Sequence, residues 1–317
     1  MKKILFLLLL PVLVFGQSQV DQAKTALQNK QYAKAESLLV GYINQNRNDL
    51  KAIELLGEAC FYQQKWDKAI DAYQILLDHD ANNANYLFKY GGVTAMKAKH
   101  GNKLQALGLI GDAKKALHKS AELDPKHIEV RWALVEMYMQ LPGILGGSKS
   151  KSLQYAEELE GISKVDGYLA KGYIYEYDKE PELAETYYKK AIKEGGSLTC
   201  FQKLTDLYEG NDEPNKAIAN IEAAQEAHHR NALHYQIGKI AATYNVQLEK
   251  GEQCLKIYIK NYTLKDGVPK AWAHYRLAQI HMHQKNKEEA LKYIELALAE
   301  LPGTKSFKEE RTKILNM

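Results

Sequence analysis

The segment Gly143-Ile144-Leu145-Gly146-Gly147-Ser148-Lys149-Ser150 stops one residue short of a phosphate-binding loop. Such a loop needs G-x-x-x-x-G-K-[ST], because its backbone N–H groups cradle phosphates and its lysine reaches the outer ones. Ser148 stands where the second glycine belongs, and Arg131 to Leu141 reads as a helix where a strand is required. The sequence therefore argues against a nucleotide site. Pro142-Gly143 stops one helix, and Ser148 or Ser150 starts the next. What survives is a helix start carrying Ser148, Lys149 and Lys151, chemistry suited to an anionic group of a partner.

The histidines are the second place to look for chemistry. His274 and His281 share a helix face, and His228, His229 and His234 cluster earlier in the chain. His281 and His283 point about 200° apart on a helix, so they cannot ligate one ion. No Asp or Glu stands at a supporting spacing, so neither a metal nor another cofactor is expected. No G-x-S-x-G, no H-E-x-x-H and no paired carboxylates in a glycine-bounded turn occur, which argues against an enzyme. Cys60, Cys200 and Cys254 share no short spacing and read as isolated buried thiols. A Cys200–Cys254 bridge would need Cα atoms within about 7 Å.

The elements that position these residues repeat. Leu50 to Asn83 spans 34 residues and carries Leu56, Gly57, Trp66, Ala69 and Tyr73. Leu198 to Asn231 places Leu204, Tyr208, Ala217, Ile221 and Ala224 at related offsets, and Ala271 to Pro302 does so with Leu277, Ala278, Ala290, Ile294 and Ala297. Apolar residues recur at helical spacing and strand-like alternation is nearly absent, so the chain reads as all-α. Small residues mark close approach of two helices, and large ones fill the gaps between neighbouring pairs.

This pattern resembles the tetratricopeptide repeat. The resemblance implies a right-handed α-solenoid of about eight helix-turn-helix repeats over residues 17–303, closed by a capping helix over 304–317. The repeats are placed at 17–49, 50–83, 84–127, 128–164, 165–197, 198–231, 232–267 and 271–302. The third holds about ten extra residues and the fourth about five, both between the paired helices, where loops 99–108 and 142–150 are expected. The resemblance further implies a scaffold that binds a protein or peptide on the concave face lined by first helices. The family's binding offsets fall on Phe61, Tyr62, Phe88, Trp132, Glu136, Tyr177, Tyr235, Trp272 and Tyr275, with Gln202, Asp206 and Glu209 making the sixth repeat polar and Lys239 at an offset of the seventh. Aromatic side chains of this kind are frequent binding anchors. The family's charged clamp for a C-terminal carboxylate is not evident.

Lys2, Lys3 and the apolar run Ile4 to Phe15 read as a signal peptide over residues 1–16, with Val14 and Gly16 as the small residues before the cut. No cysteine follows to carry a lipid anchor, and no other segment is apolar enough to span a membrane. The expected location is the periplasm or the exterior of the cell. The formal net charge is +4, and Lys is interleaved with Glu, which excludes an electrostatic case for nucleic acid. The alternative to a groove-binding adaptor is a fixed subunit of an envelope assembly such as a secretion or outer-membrane complex.

Overall fold

The structure is a computed structural model and describes residues 19–317. The expected signal peptide lies outside the described residues. Those residues form helices joined by short turns, with no strand among them. They group into two compact parts that divide between Ile162 and Ser163.

In the N-terminal part the helices pair as α1 (19–28) with α2 (Tyr32–Ile43), α3 (Leu50–Tyr62) with α4 (Trp66–His79), α5 (Ala84–His100) with α6 (Lys103–Leu123), and α7 (Ile128–Gln140) with α8 (Lys149–Ile162). In the C-terminal part α9 (Lys164–Tyr177) pairs with α10 (Pro181–Gly195), α11 (Leu198–Gly210) with α12 (Pro214–His228), α13 (Asn231–Tyr244) with α14 (Leu248–Lys260), and α15 (Lys270–His283) with α16 (Lys287–Glu300). A last helix, α17 (Lys305–Leu315), packs on α15 and α16. Each part is thus a stack of helix-turn-helix repeats, an α-solenoid architecture.

The starts and stops of these helices are written locally. Five first helices open on a side-chain cap: Asp49, Asn83, His127, Ser163 and Ser197 each accept a backbone N–H three residues on, whereas α13 and α15 have no such cap. Pro181 and Pro214 open α10 and α12 at positions where no N–H is needed. Between paired helices the same turn recurs, with Lys30, Gln64, Lys179, Asp212 and Lys285 at φ near +60°. The residue after each donates its N–H back across the turn, as in Lys65 N to Cys60 O at 2.9 Å and Glu213 N to Tyr208 O at 2.8 Å. That bond satisfies a carbonyl the helix end would leave open.

Each core is built from a small residue facing a large one. A Cβ on Gly57 would lie 2.5 Å from Tyr73, and one on Gly172 would lie 2.3 Å from Tyr188. Glycine there lets the paired helices close over a buried ring, and Tyr188 is fully buried.

The third repeat departs from expectation. Its extra residues make no loop over 99–108. They lengthen α5 and α6, leaving only Gly101 and Asn102 between them. The physical reason is composition: Lys103-Leu104-Gln105-Ala106-Leu107 are all helix formers, so the break is confined to the Gly-Asn step.

Two buried carboxylates join neighbouring repeats of the N-terminal part. Glu36 of α2 takes hydrogen bonds from Lys65, from Lys68 at 2.9 Å and from Gln63 at 2.9 Å. The Lys65 bond, outweighing burial, holds its carboxyl down at about 2. Glu54 of α3 is bound by Lys51 at 2.8 Å, by Asn85 at 3.1 Å and by Lys89. Burial would raise its carboxyl, but the two lysines outweigh burial and hold it at about 2. Both pKa values are depressed, so their contribution is full above the unfolded value near 4.5 and is lost as pH falls from about 5 to about 2. Glu36→Gln and Glu54→Gln should each cost about 1–2 kcal/mol at pH 7, after allowing for solvent screening of the lysines, and almost nothing at pH 2. Urea unfolding of both variants and the parent at the two pH values checks this. An equal loss at both would show that the pairs are not what titrates.

Candidate partner-binding groove

Between α11 and α13, two adjoining depressions of about 280 and 290 Å³ share Gln202, Thr205, Ile221, Ala232, Gln236 and Asp266. Ile221 of α12 forms an apolar floor and is 1% exposed. Phe201 and Leu233 extend that floor on one side, and Tyr235 and Ile240 on the other. Gln202 and Gln236 stand one 34-residue repeat apart, on equivalent turns of successive first helices. A carboxamide both donates and accepts, so two of them one repeat apart can pair with consecutive stretches of extended main chain. Gln202 currently donates to Asp206 Oδ1 at 2.7 Å.

Charge is distributed around this floor. Lys239 Nζ stands 3.5 Å from Glu209 Oε1, and Arg230 and Lys265 line the other end. Asp266 sits in the short helical turn Leu264–Asp266, locked by a reciprocal cap with Thr263. The Thr263 N–H donates to its carboxylate at 2.7 Å and holds it below the usual range, and Asn231 Nδ2 donates at 3.2 Å. Asp266 therefore presents a fixed negative charge to the groove wall.

The expected aromatic anchors fall in different environments. Tyr62 and Tyr177 are 52% and 49% exposed, and Tyr62 stacks on Tyr32 at 4.8 Å. Glu136 is exposed. Phe61 and Phe88 are half-buried, Phe61 edge-on to Trp66 and Phe88 beside His127 at 5.0 Å. Trp132 is also half-buried. Two residues need correction. Tyr235 and Tyr275 are each only 9% exposed. Tyr235 turns onto Tyr258 of α14, with ring centroids 5.4 Å apart. Tyr275, with Trp272, forms the seat of Phe307 from α17 at 5.0 and 4.8 Å. These rings hold helices together and leave little surface for a ligand.

Sequence offsets missed Gln236, Arg230, Lys265 and Asp266. Gln236 is one helical position beyond the expected offset, yet its one-repeat spacing from Gln202 was readable. Thr263 three residues before Asp266 is a capping signature that also could have flagged the turn.

The 142–148 loop closes on itself. Gly146 N donates to Gly143 O at 2.9 Å, Gly147 N to Pro142 O at 3.0 Å, and Ser148 N to Tyr138 O at 2.9 Å. Those N–H groups are used internally and cannot cradle a phosphate. Ser148 Oγ accepts from Lys151 N at 3.3 Å and so acts as a cap for α8. A Cβ on Gly147 would lie 1.8 Å from Leu141 O, so the loop requires glycine there. Lys149 begins α8, and the Lys151 side chain folds back over the Tyr138 ring. Cys60, Cys200 and Cys254 are free and buried.

Three family models described as tetratricopeptide repeat match residues 20–92, 165–194 and 271–304. They fall on α1 to α5, on α9–α10 and on α15–α16, the helix pairs whose turns share the left-handed residue. The chain carries tetratricopeptide repeats. Several solved structures resemble it. A tetratricopeptide repeat protein from Parabacteroides merdae is 14% identical, with 95% of this chain and 98% of that one covered and a TM-score of 0.47. A thermophilic tetratricopeptide repeat protein from Thermus thermophilus is 12% identical over 77% and 99%, with a TM-score of 0.40. YrrB, described as having an unusual peptide-binding site, is 16% identical over 62% and 98%, with a TM-score of 0.43. No curated protein sequence matches the chain. Proteins built on such repeats generally serve as interaction scaffolds without catalysis. No described helix is long and apolar enough to cross a membrane.

Proposed function

We propose that this protein is a non-enzymatic scaffold of the bacterial envelope, exported by its first 16 residues, that holds an extended segment of a protein partner along the α11–α13 groove. The observation that carries this reading is the pair Gln202 and Gln236, one repeat apart, lining one apolar-floored groove. Amides at that spacing satisfy a partner's main chain, while Lys239, Glu209, Arg230 and Asp266 select its side chains. The basic start Lys2-Lys3 and the apolar run that follows support export to the periplasm or beyond.

The test is site-specific photo-cross-linking from Lys239 in envelope extract, using the chain from Gln17. One partner should be captured in fixed ratio, and Gln202→Ala with Gln236→Ala should cut capture at least about tenfold, the loss of roughly one good hydrogen bond per site. Neither side chain is buried, so circular dichroism should be unchanged. Capture that ignores the double substitution would reject the groove. It would instead favour the role of a fixed assembly subunit, for which the exposed Val40 and Ile75 beside a cavity of about 500 Å³ between α2 and α4 offer a surface.

A further inference from the structure

Many of the described lysines have a carboxylate beside them, as in Lys51–Glu54, Lys189–Glu185, Lys256–Glu252 and Lys292–Glu289. Lys114 and Lys151 are different. Neither has Asp or Glu three or four residues away in sequence, and neither forms a salt bridge among the described residues. They come from separate helices, α6 and α8, and both stand against one ring. Lys114 Nζ is 5.6 Å and Lys151 Nζ 5.3 Å from the centroid of Tyr138 on α7. Lys114 is half-buried and is anchored by donating to Leu145 O at 2.8 Å. Gly146 makes room for it: a Cβ there would lie 2.5 Å from Lys114 Nζ. The loop glycine that looked like part of a phosphate cradle thus seats a lysine instead.

The floor beneath the two ammonium groups carries a hydrogen-bond donor. His118 Nε2 is 2.8 Å from the Tyr138 hydroxyl, and His118 Nδ1 is 3.0 Å from the Tyr155 hydroxyl. Burial lowers the His118 pKa, favouring the neutral ring. A neutral imidazole has one N–H and one lone pair. One tyrosine therefore donates to it, and the other accepts from it. The accepting tyrosine keeps its own O–H available for a third group. Two cations against one ring and one spare phenolic donor make a site short of two negative charges. Burial, and next the nearby Lys151, push Lys114 below its usual range, which is the electrostatic mark of that deficit.

We propose that Lys114 and Lys151, over the Tyr138–His118–Tyr155 relay, bind a phosphate group. A phosphate monoester or inorganic phosphate carries about two charges at neutral pH and three acceptor oxygens, matching two ammonium groups and one O–H. A carboxylate would neutralise only one lysine. The phosphate can be free or can be the monoester headgroup of a phosphatidic acid, and the two sources share this chemistry. The site is independent of the α11–α13 groove.

The experiment is a titration of the chain from Gln17 with inorganic phosphate at constant ionic strength set by sodium chloride, followed by NMR of the lysine Nζ groups. Saturable shifts are expected at Lys114 and Lys151, with the Lys114 pKa rising as phosphate binds. Lys114→Gln and Lys151→Gln should each weaken binding about tenfold, while Lys115→Gln should leave it unchanged. Lys151 is exposed, so its variant remains informative even if Lys114→Gln perturbs the loop. Sedimentation with phosphatidic acid and phosphatidylcholine vesicles separates the sources. Binding to the anionic vesicles that both variants abolish assigns a headgroup, and phosphate binding without vesicle binding assigns the free ion. Absence of both, or binding indifferent to Lys114→Gln and Lys151→Gln, overturns the proposal.

Discussion

Phe307→Ala should destabilise the C-terminal part by about 3–5 kcal/mol, the range for removing a buried aromatic ring. Phe307 is fully buried, edge-on to Trp272 at 4.8 Å and stacked with Tyr275 at 5.0 Å. Aromatic pairs of this geometry add to the loss from burial alone. Ile314 is also fully buried in the same cluster, and the rest of the α17 interface is polar. Glu310 is buried and held by Lys313 at 3.0 Å and Gln279 at 3.3 Å, both on its rim. In a repeat stack each pair is stabilised by its neighbours, so the damage should be local. Amide exchange in α15–α17 should accelerate by about a hundredfold or more, while α9–α12 should change little. Leu315→Ala, at a residue 46% exposed, should stay within about 0.5 kcal/mol of the parent. If exchange rises equally throughout Ser163–Met317, α17 is part of one cooperative block and does not act as a cap.

The fate of Trp272 and Tyr275 shows what periodicity can and cannot read. A repeat period assigns each residue to a helix face, and the helix pairs were legible because small and large residues recur at fixed offsets. The same period is blind to what covers a face. Tyr275 stands at a family binding offset, yet in the last pair the neighbour on that side is α17, and the ring is buried under Phe307. Tyr235 shares the offset but turns onto Tyr258. Gln202 and Glu209 were legible in a polar repeat and Lys239 at a binding offset of the next, and all three line the groove. Asp266 was not, because it arrives from a turn outside the repeat pattern. The third repeat failed for another reason. Excess length says that residues were inserted, not that they leave the helix, and Lys103 to Leu107 contains nothing to stop one.

Gly172→Ala should cost about 2–3 kcal/mol, at the upper end for forcing one methyl into a filled core. The added Cβ would lie 2.3 Å from the Tyr188 ring, which is fully buried. Relief would require the ring to retreat, but its hydroxyl donates to Glu176 Oε2 at 2.5 Å. Moving it breaks a charge-assisted bond in a site where burial and then Glu176 already push the phenol far above its usual range. Gly57→Ala is the matched comparison. Its Cβ would meet Tyr73 at 2.5 Å, but that hydroxyl makes no hydrogen bond among the described residues, so the ring is freer to shift. The Gly172 variant should therefore lose more stability than the Gly57 variant. Gly161→Ala, with nothing within 4 Å of its Cβ, should be neutral or gain up to about 1 kcal/mol from helix propensity. The combination Gly172→Ala with Tyr188→Phe discriminates further. Without the tether the ring can move, so the glycine substitution should cost about 1 kcal/mol less in the Tyr188→Phe background than in the parent, a coupling that a double-mutant cycle by urea unfolding reads directly. Equal costs in both backgrounds would mean that the ring, and not its hydrogen bond to Glu176, sets how closely α9 and α10 approach.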